Sequence, residues 1–450
     1  MHASTGAPSR KRKFRLPLFV ALLAVSGLGP NLPLRAAEPE PKLQWFKGNT
    51  HTHSLWSDGN DFPEMITDWY QKKGYHFLAI SDHNVLHAKE VWMTEPLIKK
   101  RQIALGKTAL VKYQERFGSP WVETRIKDGV TEVRLKKLEE YRPLFEKPGQ
   151  FLLVQAEEIS AGFKPAEADK SIPIHINAVN VREEIQPLEG TSVREVMRKN
   201  LQAIHEQAKA TGQPMLGHIN HPNFRWALTP EDLAEVLEEN FFEIFNGHPM
   251  INYLGDATRP GHEAIWDIAN TLRLSKLKAP PLYGVATDDA HHYHGENSAP
   301  GRGWVMVRAA ALDANKLVTA LRAGEFYASS GVTLQEVTFE NEQLRLVIQA
   351  EPGVTYTTKF VGTPVSYDRT TGTIPPADDD SQKINRTTYS ADVGKTFATV
   401  VGTSPSYTLG GDELYVRAVV TSSKPHPSPT YEGQTEVAWT QPIGWEPHLK

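Results

Sequence analysis

The position of the histidines constrains this chain more than any other feature. Seventeen occur in 450 residues, and fourteen of them lie between His51 and His294. They recur at the ends of short apolar runs. Those runs, at 45–53, 77–83, 151–159, 174–181, 215–221, 242–245 and 282–289, read as strands. Between them stand patterns of helical period at 63–73, 89–117, 133–145, 192–211, 230–239 and 262–274. Strands that alternate with helices predict a parallel α/β sheet, and seven of them fit a closed or distorted barrel better than an open sheet. In a β/α barrel the C-terminal ends of the strands carry the side chains that converge on one reaction centre. His51 and His53 end the first run, His83 the second, Glu157 and Glu158 the third, His221 the fifth, and Asp289 and His291 the seventh, while His175 lies in the fourth.

Strand side chains alternate, so residues two apart share a face. His51 and His53 can therefore hold one cation together, with Asp58 reaching back from the turn that follows. Asp289 and His291 share a face in the same way. Glu157 and Glu158 face opposite sides, so only one of them enters the barrel, and periodicity does not choose between them. Asp82 suits an orienting role beside His83, or a turn cap, and Asp288 suits a helix cap. The chain has no cysteine. Disulfides, thiolate metal sites and cysteine nucleophiles are thereby excluded. Imidazoles and carboxylates in this number suit Zn, Mn or Fe rather than Ca, and the set is too large for one ion. Two or three divalent ions would generate a hydroxide near neutral pH and hold the attacking and leaving oxygens.

Residues 1–37 have the order of a cleavable secretory signal: basic residues from Arg10 to Arg15, an apolar run from Leu16 to Leu28, and small residues at Ala36 and Ala37. The run is short for a membrane span. A periplasmic or secreted protein is expected, with no stable membrane insertion after the signal is removed. Without that segment the charge balance is 43 basic against 53 acidic residues, which disfavours general nucleic-acid binding. Residues 38–332 form the expected barrel, with an insertion at about 84–150 that carries a hairpin at Asp128-Gly129 and can cover a site. From 333 to 450 the strands become short and alternating, which predicts a small all-β sandwich-like domain.

The ordered runs GNTHTHSLWSDG, ISDHN, EEIS, HINAVNV, INHPN and ATDDAHH, spread over about residues 45–330, resemble the PHP (polymerase and histidinol phosphatase) superfamily of metal-dependent hydrolases. The runs GRGWVMV and GEFYASSG, with a β-rich tail ending in EVAWTQPI, look like a secreted branch that also includes carbamate-ester hydrolases. The resemblance implies a distorted seven-stranded β/α barrel with a di- or trinuclear centre. Carried over by position, it makes His51, His53, Asp58, His83, Glu158, His175, His221, Asp289 and His291 metal ligands. It selects Glu158 because the family glutamate directly precedes an Ile-Ser or Ile-Thr pair. Many members have histidine where this chain has Asp58; the aspartate form also occurs.

The family's commonest activity is phosphoester hydrolysis. That implies a small-molecule phosphate mono- or diester as substrate, Asp289 as a group that binds metal and accepts a proton from water, Arg225 or Arg302 as a phosphate contact, and His292, His294 or His248 as acids for the leaving group. The alternatives are hydrolysis of carboxylic or carbamate esters on the same centre, favoured by aromatics near the motifs, and a non-catalytic binding protein stabilised by metal.

Overall fold

The computed structural model describes residues 42–102, 108–166, 170–295 and 297–450. The expected signal over 1–37 lies outside the described residues. No helix among those described is long and apolar enough to cross a membrane. Residues 42–450 form one compact unit of mixed α/β structure.

Two sheets position the histidine-bearing segments. In the larger, Gln44–Asn49 pairs in parallel with Phe77–Leu78, which pairs in parallel with Leu152–Leu153. In the smaller, five strands run in the order Tyr283–Thr287, Phe241–Asn246, Leu216–Ile219, Ile172–Val179 and Ala156–Phe163. Parallel bridges from Thr52 to Ala290 and from His83 to Glu158 join the two sheets beyond the regular strands. All seven apolar runs contain strand, although the third breaks into Leu152–Leu153 and Ala156–Phe163.

The expected uniformly parallel sheet is corrected at Ile172–Val179, which pairs antiparallel with both neighbours. Only eight residues separate it from the preceding strand. A parallel crossover needs a dozen or more, so a hairpin is forced. The reversal brings His175, in the first half of this strand, level with the end of Leu216–Ile219, where the Asn220 amide donates to His175 O.

The helix Val193–Thr211 shows why the sequence folds this way. The Ser192 side chain accepts from the Glu195 amide at the N-terminus, and Gly212 takes a left-handed conformation at the C-terminus. Val193, Val196, Met197, Leu201 and Ile204 fall on one face and are buried against the smaller sheet. Each such side chain contributes ~1.5–3 kcal/mol of burial.

The 84–150 region holds a three-stranded antiparallel sheet of Val91–Thr94, Val130–Leu135 and Thr124–Lys127. Its hairpin turns at Asp128 and Gly129, both with positive φ as a type I′ turn requires. The pattern at 133–145 divides into the end of the Val130–Leu135 strand and the helix Leu138–Phe145. The small sheet packs against Leu55, Trp56 and Phe62, outside the turn that follows His53.

The larger sheet continues past residue 333. Phe326–Ser329 pairs with Thr435–Thr440, and Glu413–Pro425, Tyr356–Pro364 and Lys395–Val401 follow in order. A buried ion pair secures this region to the helix His262–Leu272: Arg417 donates to both Asp267 oxygens at 2.9 and 2.7 Å, and Tyr415 donates to Asp267 at 2.7 Å.

Candidate metal centre

Nine side chains from six segments meet where the two sheets join. Three overlapping groups have ligand atoms close enough to share ions: His53, Asp58, His83 and His291; His51, His53 and Glu158; and His83, Glu158 and His175. The remaining two of the nine touch the same atoms. His221 Nε2 lies 3.4 Å from Glu158, and Asp289 Oδ1 lies 3.3 Å from His51 Nε2 and 3.2 Å from His53 Nε2. His221 and Asp289 both have positive φ. Each stands just past a strand end, where that turn directs its side chain back across the sheet.

The spacings suit a cation. His51 Nε2 and His53 Nε2 face each other at 3.1 Å. Glu158 oxygens lie 3.4 and 3.5 Å from them. Four ligands at ~2.0 Å around a tetrahedral ion stand about 3.3 Å apart, so these atoms already outline such a polyhedron. Glu158 Oε2 is buried and makes no hydrogen bond, although His83 Nδ1 is 2.7 Å away. A buried, ionised oxygen is costly unless positive charge, from a protonated imidazole such as His83 or from a cation, completes its environment. The donor set therefore fits divalent metal.

The electrostatics agree. Burial alone would raise the Glu158 carboxyl, but His83, His175 and His51 hold it well below the usual carboxylate range. Burial is likewise outweighed at Asp289 by His51, His53 and His291. Burial opposes the charge on His83, yet Glu158 and Asp58 raise it to about 11. His53 is pushed down to about 4 by burial and by its neighbours His291 and His83. Without an ion, then, protons on a few imidazoles balance the carboxylates while the other imidazoles stay neutral. Cations would displace those protons.

Glu157 and Glu158 separate as alternate faces require. Glu158 enters the cluster. Glu157 turns away, accepts from the Ile185 amide at 2.7 Å, and is pushed up by burial to about 8. Asp82 accepts from the Ser54 and Ser57 amides at 2.8 and 3.0 Å and pairs with His87 at 2.6 Å. It thus fixes the turn that delivers Asp58. Asp288 is a loop anchor rather than a helix cap, accepting from the Gly301, Arg302 and Gly303 amides and from Tyr70.

Three expected contacts lie elsewhere. Arg302 donates to Gly247 O at 2.8 Å and Ser428 at 3.1 Å, tying two loops together. His294 sits between Lys112 and Asn60 O. Arg225 faces the neighbouring cavity instead of the cluster. His292 and His248 do line the cluster's cavity, which measures about 310 Å³ and is completed by Phe224, Met250 and Ile251. No described residue of the 84–150 insertion, and no described lysine or arginine, lines it.

Sequence reasoning missed Glu243. It is fully buried in Phe241–Asn246 and lies 2.7 Å from His51 Nδ1. It also accepts from Thr287, from the His221 amide and from Asn246. Burial would raise it, but His51 and His218 hold it near 2. Asn220 similarly donates to Glu158 at 2.8 Å, and Asn246 to Asp289 at 3.0 Å. Such partners fix ring orientation and ligand basicity. The available signal was a carboxylate inside the otherwise apolar run FFEIF.

No family model matches the chain, and no curated protein matches it. Solved structures similar to it include a two-domain protein from Bacteroides vulgatus containing a predicted PHP-like metal-dependent phosphoesterase. That likeness has 14% identity and a TM-score of 0.36, and covers 89% of this chain and 96% of the other. Another is a protein from Bifidobacterium adolescentis provisionally named a metal-dependent phosphoesterase, at 13% identity and TM-score 0.26, covering 55% of this chain and 88% of the other.

Proposed function

We propose that this chain is an exported, multinuclear metal-dependent hydrolase of phosphate mono- or diesters. The observation that carries the reading is the sharing of His53, His83 and Glu158 among three ligand groups, which suits adjacent ions rather than one. His51, His53, Asp58, His83, Glu158, His175, His221, Asp289 and His291 would hold two or three ions of Zn, Mn or Fe. When bound, such ions supply an acidified water and stabilise negative charge on oxygen. The PHP-like motifs support the same chemistry. The bridges that join the two sheets support a distorted barrel of the seven expected strands, with 333–450 as an all-β region packed on it. The basic and apolar order of residues 1–37 supports export.

The chain's own groups supply the rest. Asp289, held ionised, can accept a proton at Oδ1, while Asn246 fixes its other oxygen. His248 is pushed down to about 4 by burial, so it is neutral at neutral pH. Its Nδ1 accepts from the Met250 amide at 3.2 Å, which assigns the ring proton to Nε2. His292 Nδ1 accepts from the Ser298 amide at 3.3 Å, with the same consequence. His248 on the cavity wall can therefore donate to an ester oxygen. Phe224, Met250 and Ile251 exclude water on one side.

A second reading, hydrolysis of carboxylic or carbamate esters, is favoured by that apolar wall and by the lack of described lysine or arginine side chains in the lining. Purified protein loaded with Mn²⁺ or Zn²⁺ and assayed on aryl phosphates, bis-aryl phosphates and aryl esters distinguishes them. Metal-dependent turnover of phosphoesters well above aryl esters is expected. The reverse ranking establishes the second reading, and inactivity on all three overturns both.

A further inference from the structure

A second cavity of about 630 Å³ adjoins the metal cavity, and Phe224 and Met250 line both. Its other walls come from the segment after His221, from Lys170, Ser171 and Asn252, and from five residues of the segment 378–383. Arg225 and Trp226 have consecutive positive φ values of 53° and 57°. Non-glycine residues hold that conformation only where the surroundings impose it, and here the C-terminal region does so. Trp226 Nε1 donates to Asp379 at 3.1 Å, and Arg259 stacks on the Trp226 ring at 3.7 Å. Arg386 donates to Trp226 O at 3.1 Å, and Ser381 donates to Arg225 O. The strained pair is thus clamped from both sides.

The charges in this cavity are uneven. Asp379 is neutralised by Arg259 at 2.7 Å and Asp380 by Arg386 at 2.7 Å. Asp378 is then the one lining carboxylate among the described residues without a guanidinium partner. Against it stand Lys170, Arg225 and Lys383. Arg225 is exposed, and among the described residues its guanidinium pairs with no carboxylate. A clamped loop that presents an unpaired guanidinium beside an apolar partition is suited to receive an anion.

We propose that this cavity binds the part of the substrate beyond the scissile ester, and that Arg225 determines specificity by engaging a second anionic group there. This rests on the hydrolase reading above. The substrate class is an ester whose other end carries a carboxylate or phosphate, joined by an apolar spacer that crosses Phe224 and Met250.

The test uses metal-loaded protein and calorimetry with straight-chain alkylphosphonates of three to eight carbons, each compared with the same chain ending in a carboxylate or a second phosphonate. At one or more spacer lengths the terminal anion should tighten binding about tenfold, as a charge-assisted contact does. The larger of the two gains assigns the terminal group. Arg225→Asn, which tolerates the left-handed backbone, should reduce the gain to within about twofold. Arg225→Lys, which keeps the charge, should retain part of it and so separates lost charge from a collapsed loop. No gain at any length, or a gain that survives Arg225→Asn, overturns the proposal. Failure of every alkylphosphonate to bind is a different result: it overturns the phosphoester reading, and this proposal with it.

Discussion

The metal cluster draws its nine ligands from strand ends and the turns just past them, four as pairs two residues apart, His51 with His53 and Asp289 with His291. The cavity beside it is held by contacts such as Trp226 with Asp379, which are 153 positions apart. The cluster is dense in opposite charges and largely buried apart from the half-exposed Asp58. The cavity wall is a left-handed loop clamped by another part of the chain. The difference separates two requirements. Chemistry needs atoms fixed to a few tenths of an ångström, which strand ends supply. Substrate choice needs a surface that can vary without disturbing those atoms, and a loop held from outside supplies that.

The largest expected effect is on the cluster side. Asp289→Asn keeps the side chain's shape at a position with φ of 46° but removes its charge. Hydrolysis should fall by more than about a hundredfold, beyond the ~10–100-fold typical of outer-sphere changes, with the circular dichroism unaltered. Near wild-type turnover would detach the cluster from the reaction. Next is the attachment of the C-terminal region. Arg417→Met strands the buried Asp267 carboxylate and should lower unfolding free energy by ~3–5 kcal/mol in denaturant titrations. Metal content per folded chain should not change. A loss of metal without a loss of stability would show that the two regions are coupled through the site instead of through packing.

Glu243→Gln removes the charge behind His51 while preserving its shape. Metal affinity should drop ~10–100-fold by competition with a chelating indicator. The same experiment carries a pH signature. In the ion-free fold His83 is raised to about 11, above its ordinary 6.5. Its contribution to ion-free stability is therefore complete below pH 6.5 and is lost as pH rises toward 11. A bound ion requires the neutral ring, so metal loading at pH 7–8 should release protons and affinity should rise with pH. Calorimetry in buffers of different ionisation enthalpy reads this directly; uptake of protons would reverse the assignment. The smallest effect belongs to the cavity wall. Trp226→Phe deletes the hydrogen bond to Asp379 and should cost ~0.5–1.5 kcal/mol of stability. A much larger loss would mean that the loop supports the cluster as well.

Much of the cluster was legible in the sequence because its information is local. A two-residue spacing puts His51 and His53 on one face, and the Asp128-Gly129 hairpin has the positive φ angles its turn type demands. The reversed strand Ile172–Val179 was not foreseen, because its direction depends on the length of a connection rather than on any pattern within the strand. Glu243 escaped notice because a lone carboxylate in an apolar run has no periodic signature; only its approach to His51 gives it meaning. The clamp on Arg225 and Trp226 joins segments with no shared motif, so nothing short of the folded chain could reveal it.

Shared ligands holding adjacent ions are what would make this centre multinuclear. Elemental analysis of protein loaded with Mn²⁺ or Zn²⁺ and freed of excess metal counts those ions per chain, in the wild type and in Glu158→Gln, which alters two of the three groups at once. Two or three ions per chain in the wild type, with fewer in the folded variant, is the expected result. A folded wild-type protein that retains less than one ion per chain under every loading condition would contradict it.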